Sequence, residues 1–267
     1  MNQLPLDKFG ITLEQKIADG IQLLQEFESS ALEYSPDGGY YLCFSGGKDS
    51  VVVKDIAIRS GVKFTSNYSV TTIDPPELTR FIRHYHPDVI WHRPKIPLMK
   101  MIEKAGLPSR RLRWCCEKYK EQGGSGLVKV FGVRVVESPG RAKRWEPITA
   151  WKGKKSSLNA WVVNPILYFT DKEIWQYIRQ NNLPYCELYD YGVSRIGCIG
   201  CPMSNRIDAF VRWPHMERRW RRAARARWDL MGDTRAKRTY KNSDEWFDWW
   251  MSNTAMPKEN DCQMGLF

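Results

Sequence analysis

No stretch of about 18 apolar residues occurs anywhere in the 267 residues, which excludes an ordinary membrane-spanning helix. The opening residues, MNQLPLDKFGITLEQ, lack a basic segment followed by an apolar one, so no secretory signal is expected and the chain reads as cytoplasmic. No internal repeat is present, which sets aside solenoid and propeller architectures. Acidic residues are in short supply: 30 Asp and Glu face 41 Lys and Arg, for a formal charge of +11. An acid-poor chain with 12 tryptophans, most of them past Trp145, suits a polyanionic partner such as nucleic acid. Cysteine is not scarce. Seven in a reducing compartment suit metal ligands or catalysts better than disulfides.

The most informative stretch is YYLCFSGGKDSVVVKDIA, residues 40–57. An apolar run, Tyr40 to Phe44, meets Ser45-Gly46-Gly47-Lys48-Asp49-Ser50, and Val51, Val52, Asp55, Ile56 and Ala57 follow at helical spacing. That order is strand, glycine turn, helix. Two glycines let the backbone turn so that its N–H groups share one target. Ser45, Ser50 and Lys48 add hydroxyl and ammonium donors, and the positive end of the helix points at the same spot. The construction suits a phosphate or pyrophosphate. It is not a Walker A loop, because position 42, where that motif needs glycine, is leucine. SGGKDS resembles the PP-loop of the ATP pyrophosphatase superfamily, whose members cleave ATP between the α and β phosphates and adenylate an acceptor.

Along the rest of the chain the pattern predicts an amphipathic helix over 12–29, with Thr12 as N-cap and Ile17, Ile21 and Leu24 on one stripe. Strands are predicted at Lys63–Ile73, Asp88–His92, Leu127–Val136 and Trp161–Leu167. Helices are predicted after Asp74-Pro75-Pro76 through His84, over Pro97–Ala105 and Arg113–Glu121, and after a capping box at Thr170–Glu173. Gly123–Gly126 reads as a flexible loop and residues 138–160 as a polar, lysine-rich one. Strands alternating with helices imply an α/β fold, a doubly wound and mostly parallel sheet, with SGGKDS at the carboxyl end of a strand where ligands bind. The expected organisation is an N-terminal helix (1–37), a nucleotide domain (38–205) and a basic, tryptophan-rich helical region (206–267).

Cys115-Cys116 stand together in RLRWCCEKYK, and Cys198 and Cys201 form a C-x-x-C in RIGCIGCPM. Four thiolates match a 4Fe–4S cluster or, less well because adjacent side chains diverge, a structural zinc. Arg113, Lys118 and Arg195 are the nearby cations expected to favour thiolates. Cys43 and Cys186 read as packing residues.

A Cys-Cys pair followed by a distant C-x-x-C resembles the cluster motif of assimilatory adenylylsulfate reductases, in the phosphoadenylylsulfate reductase branch of the same superfamily. GLPSRRLRWCCEKYK, from Gly106, resembles that branch's arginine-cysteine-lysine segment, and GVRVVESPGR, Gly132 to Arg141, its Gly-x-Arg-x-x-Glu-Ser segment. The likeness spans roughly residues 38–205. It implies an adenine nucleotide alpha hydrolase-like fold, with Ser45 to Ser50, Asp74, Gly132, Arg134, Glu137 and Arg141 around the nucleotide. Lys48 and Asp49 are the expected catalytic residues, Lys48 with Mg²⁺ to neutralise charge as pyrophosphate leaves and Asp49 to help position the metal or the helix. Reductases of this branch carry a degenerate loop, because their substrate has no β,γ-pyrophosphate. The intact SGGKDS is closer to the ATP-pyrophosphatase component of DNA phosphorothioation systems, which pairs such a loop with a cysteine cluster. The terminal segment Asp261–Leu266 is only a faint echo of the reductases' nucleophilic cysteine segment, with Cys262 in its place.

Residues 206–238 hold eleven Lys and Arg against four Asp and Glu, a net of +7. Met216, Trp220, Ala224 and Trp228 share one helical face and Arg218, Arg222 and Arg225 another, so the arginine face is expected to meet phosphates. A second helix from Asn242 carries Trp246, Phe247, Trp249 and Trp250, aromatics suited to a small core. The expected function is ATP pyrophosphatase action in sulfur insertion into nucleic acid, DNA first and tRNA second, with a sulfur donor such as a cysteine desulfurase. The alternatives are a thioredoxin-linked adenylylsulfate or phosphoadenylylsulfate reductase and, in another class, a non-catalytic nucleic-acid-binding subunit.

Overall fold

A computed structural model describes residues 10–151, 160–252 and 254–256. In chain order its helices are α1 (Leu13–Glu26), α2 (Glu28–Tyr34), α3 (Lys48–Ser60), α4 (Pro76–Tyr85), α5 (Leu98–Ala105), α6 (Trp114–Tyr119), α7 (Pro139–Arg144), α8 (Asp171–Gln180), α9 (Arg206–Arg212), α10 (Pro214–Leu230), α11 (Arg235–Thr239) and α12 (Ser243–Ser252). The strands are β1 (Tyr40–Cys43), β2 (Phe64–Ser69), β3 (Ile90–His92), β4 (Lys129–Val130), β5 (Ile148–Trp151) and β6 (Ala160–Val163). Contacts divide the chain into two units. One comprises the described residues up to Ser69 with Pro76–His92 and Glu121–Ile196. The other comprises Val70–Pro75, Arg93–Lys120 and the described residues from Gly197 onward.

The first unit holds the sheet, in the order β3-β2-β1-β4-β6-β5. All neighbours run parallel except β5, which is antiparallel to β6 at the edge. This is the α/β architecture the alternation implies. Tyr40, Leu42, Val130, Val162 and Val163 are wholly buried, as strands covered on both faces require. The Tyr40 hydroxyl donates to the Leu24 carbonyl at 2.7 Å and the Tyr177 hydroxyl to Asp55 at 2.6 Å, which fastens α1 to the sheet and α8 to α3. The chain leaves β1 toward β2 on one side and returns to β4 on the other. The order therefore reverses at β1, and the crevice beyond its carboxyl end is where such folds bind ligands.

Several local expectations change. The N-terminal helix divides at Phe27, and its inner stripe is Leu13, Lys16, Gly20 and Leu24 rather than Ile17, Ile21 and Leu24. Lys16 can lie inward because Glu173 pairs with it at 2.7 Å. The strand expected over Lys63–Ile73 ends at Ser69. The strand expected over Leu127–Val136 keeps only Lys129–Val130 in the ladder. Gly132 then passes against the backbone of Asp49, and a 3₁₀ turn forms at Val135–Glu137. Gly123 and Gly124 pack on the Tyr41 ring, so that stretch is a seated turn and not a free loop. The lysine-rich segment expected to be a loop contains α7 and the edge strand β5; its residues 152–159 lie outside those described. The Thr170–Glu173 capping box is present as expected.

The second unit is helical. Met216, Trp220, Ala224 and Trp228 are buried along α10, as their spacing predicts. Trp220 stacks on Trp250 at 4.8 Å and Phe247 lies 5.3 Å from Trp250, so the α12 aromatics do form a small core. Both buried indoles are satisfied, Trp220 by the Ile199 carbonyl at 3.2 Å and Trp250 by that of Pro108 at 2.6 Å.

Candidate active site

β1 delivers Phe44 and Ser45 to its carboxyl end, and α3 begins three residues later at Lys48. Gly46 makes the turn with φ of +74°, a left-handed conformation that favours glycine. A side chain there would also press on Leu78 and Ile82, about 2.7–2.8 Å from its Cβ, so the loop lies directly on α4. Within the loop, Ser50 donates to the Gly47 carbonyl at 2.8 Å and the Ser45 hydroxyl lies 3.2 Å from that of Ser50. Gly47 is the N-cap of α3 and has no side chain with which to cap the helix. Its partial positive charge is thereby left to a ligand or neighbour.

Two buried cations converge on this helix start. Lys48 is 4% exposed and Arg134 is 3% exposed. The Lys48 ammonium lies 3.4 Å from Asp49 and 3.2 Å from Asp171. Arg134 lies 2.7 Å from Asp49 through Nε, off the line of its N–H, and donates through Nη2 to Asp171 at 3.0 Å. Glu137 lies 3.9 Å from Arg134 and pairs with Arg141. Arg141 has its pKa lowered, first by burial and then by Arg195 and Arg134, against the pull of Glu137 and Asp49. The structure thus gathers Ser45 to Ser50, Gly132, Arg134, Glu137 and Arg141 in one unit. Asp74 falls in the other, where its carboxylate takes the Thr71 amide at 2.8 Å and the Thr71 hydroxyl at 2.7 Å.

Two participants escaped sequence reasoning. Asp171 opens α8, and its capping-box setting gave no hint of its contact with Lys48 and Arg134. Those cations outweigh partial burial and hold its carboxyl below the usual range. Tyr189 follows in a 3₁₀ turn, and its hydroxyl accepts the Lys48 amide at 2.9 Å. Burial holds that phenol above its ordinary pKa, so it stays protonated. Neither contact has a local sequence signal: Lys48 is more than 120 residues from both, and Arg134 is 37 residues from Asp171.

All four motif cysteines lie in the second unit. Cys115 and Cys116 sit at the start of α6, and the Cys198–Cys201 turn closes with an amide bond from Cys201 to the Cys198 carbonyl at 3.2 Å. The Cys116 thiol is lowered to about 5, first by the hydrogen bond from Cys115 and then by Arg113, whose guanidinium lies 3.3 Å from the sulfur. Cys115, the donor of that bond, is raised by it, by burial, and by Cys116, Cys198 and Cys201. Burial also raises Cys198, against Lys120 and the Thr71 hydroxyl. Of the expected cations, Arg113 is in place, Lys118 turns to the Met101 sulfur and Arg195 belongs to the other unit. Lys120 is the lysine beside Cys198. The four thiols share one electrostatic neighbourhood, but no three His, Cys, Asp or Glu among the described residues are set to grip one metal ion.

Residues 39–204, well over half of the chain, match the family described as phosphoadenosine phosphosulfate reductase domain. An uncharacterised protein of Methanocaldococcus jannaschii is 30% identical over 177 residues, covering 60% of this chain and 35% of the relative; a second from that organism is 29% identical, with 45% of its length covered. The chain thus spans less than half the length of either. The adenosine 5'-phosphosulfate reductase of Oceanobacillus iheyensis is 29% identical over 177 residues, with 60% of this chain and 70% of that protein covered. Among solved structures, the FMN adenylyltransferase of Candida glabrata in complex with ATP has a TM-score of 0.50 at 17% identity, covering 96% of this chain and 79% of that one, a likeness of fold. No described helix is long and apolar enough to cross a membrane.

Proposed function

This chain belongs to the phosphoadenosine phosphosulfate reductase domain family, within the PP-loop superfamily, and from that premise we propose that it is an ATP pyrophosphatase that adenylates an acceptor. The observation that carries the reading is the convergence of buried Lys48 and Arg134 on the start of α3, where the N-cap is a glycine. An acceptor nucleophile attacks the α-phosphorus and loses its proton to solvent. The bond from that phosphorus to the bridging oxygen breaks, and pyrophosphate leaves with the negative charge. Lys48, Arg134 and the helix start are placed to face that departing charge. Asp49 and Asp171 are hard oxygen donors of the kind Mg²⁺ takes, and the ion when bound supplies further charge neutralisation.

The acceptor belongs to sulfur insertion into nucleic acid, DNA before tRNA, with a separate protein donating sulfur. Arg218 and Arg222, exposed on α10 with no acidic partner among the described residues, support a nucleic-acid contact. Cys115, Cys116, Cys198 and Cys201 fit a 4Fe–4S cluster in donor type and number, being four thiols in one unit with Arg113 and Lys120 to offset thiolate charge. A cluster there supplies electron transfer or sulfur handling when bound.

The names of the relatives favour one second reading, reduction of adenylylsulfate. The expected thiol nucleophile of that reaction, Cys262, lies outside the described residues. Product chromatography separates the two. ATP should yield AMP and pyrophosphate, whereas ADP and phosphate, or sulfite released from adenylylsulfate in the presence of thioredoxin, would overturn the proposal.

A further inference from the structure

The phosphate-binding groups of the first unit are already engaged by oxygens of the protein itself. The first amide of α3, Lys48 N–H, donates to the Tyr189 hydroxyl at 2.9 Å. The Lys48 ammonium and the Arg134 guanidinium both hold Asp171 Oδ1, at 3.2 and 3.0 Å. One hydroxyl oxygen and one carboxylate oxygen thus stand where a phosphate oxygen would accept from the same three donors.

Both occupants arrive from one stretch of chain. Asp171 is the first residue of α8, and Trp175, one turn later, packs edge-on against Tyr185 at 5.2 Å and Tyr189 at 5.1 Å. The aromatic cage fixes the Tyr189 ring, so its hydroxyl is presented to the loop and is not a chance contact. A Cβ on Gly47 would lie 3.4 Å from that hydroxyl, which brings the phenol right up to the loop backbone. Asp171 is different in kind: its side chain is 64% exposed and can swing into solvent at little cost.

Resting on the phosphate-site reading above, we propose that Asp171 and Tyr189 are specificity-determining residues that occupy the pyrophosphate site in place of substrate. A ligand enters only if it binds the three donors better than they do. Pyrophosphate, a chelating polyanion, meets that threshold; a single phosphate or sulfate group does not. Discrimination thus comes from a built-in competitor rather than from an added attraction. The competitor lowers every apparent affinity by the fraction of molecules in which the site stands open.

Titration calorimetry of the full chain with inorganic pyrophosphate, inorganic phosphate and AMPCPP, a non-hydrolysable ATP analogue, tests this in wild type, Tyr189→Phe and Asp171→Asn. Phenylalanine keeps the ring in its cage, and asparagine keeps the shape of the first-turn residue. In magnesium-free buffer, where Asp171 has no metal to hold, both variants should bind pyrophosphate and AMPCPP about tenfold tighter, and phosphate should become a detectable ligand. The phenylalanine variant is decisive, because it changes no charge and so moves only if the hydroxyl competes. Unchanged or weaker pyrophosphate binding in Tyr189→Phe, with wild type binding normally, overturns this proposal alone. Absence of binding to all three proteins overturns it together with the phosphate-site reading.

Discussion

The loop region around Lys48 and the cysteine region around Cys116 solve opposite electrostatic problems. In the first, two buried cations meet Asp49, Asp171 and Glu137, so opposite charges face one another at 2.7–3.9 Å. Burying charge is costly, and this pairing is what makes the burial tolerable. In the second, groups of like character are crowded together. Cys115 and Cys198 are raised by burial and by neighbouring sulfurs, and Cys116 is lowered through Cys115 and Arg113. The loop region is complete from protein groups alone. The cysteine region gathers four potential anions around Arg113 and Lys120, an arrangement that a cationic iron core would balance.

The sharpest way to break this comparison is to remove the thiols. Anaerobically purified protein should carry about four irons per chain with the brown colour of a cluster, and Cys198→Ser with Cys201→Ser should carry none. Stoichiometric zinc in place of iron would leave a metal site but not the cluster. On the loop side, Lys48→Ala should lower the rate of pyrophosphate release by about 10²–10³, or roughly 3–4 kcal/mol of transition-state stabilisation. Iron content should not change in that variant, because Lys48 and the cysteines lie in different units.

Acid offers a smaller, graded test. His86 is buried between Phe44 and Phe81, and burial first, then Lys54, lowers its pKa from 6.5 to about 4, against the opposing pull of Asp88. The folded chain therefore binds fewer protons than the unfolded one between those values. This contribution to stability is complete above pH 6.5 and is lost as pH falls toward 4. The shift corresponds to an effect on the order of 3 kcal/mol. His86→Gln should flatten the melting temperature between pH 6.5 and 4, and a wild-type profile flat over that range would sink the assignment. The smallest effect belongs to the basic helix. Arg225 already pairs with Asp244 at 3.3 Å, whereas Arg218 and Arg222 have no such partner among the described residues. Changing all three to glutamine should reduce the log–log salt slope of duplex DNA binding by about two units rather than three. No change in slope would make the helix a solvated face.

What could be read ahead of the structure follows the same division. SGGKDS, the Thr170 capping box and the α10 stripe are local patterns whose physics is contained in a few adjacent residues, and each appears where expected. The strand predicted over Leu127–Val136 is present but cut to Lys129–Val130, and the sequence holds no local sign that Gly132 passes against the backbone of Asp49. Edge strand β5 hid in a polar segment because half of its environment is solvent. Asp171 and Tyr189 were missed because nothing near them in sequence mentions Lys48. The thiols were found by their spacing, but the lysine beside them was not; Lys118 was expected and Lys120 is the neighbour.

The two loop glycines answer to different constraints. A side chain at Gly46 would collide with Leu78 and Ile82, and its φ of +74° adds backbone strain. That constraint is imposed from beneath, by α4, and would persist in a descendant that had abandoned nucleotides altogether. Gly47 would meet only the Tyr189 and Ser45 hydroxyls, at 3.4 and 3.5 Å, and its backbone angle carries no such demand. Drift at Gly46 should therefore be purged as a folding defect whatever the loop is used for, whereas replacement at Gly47 would mark a lineage whose loop had changed its trade.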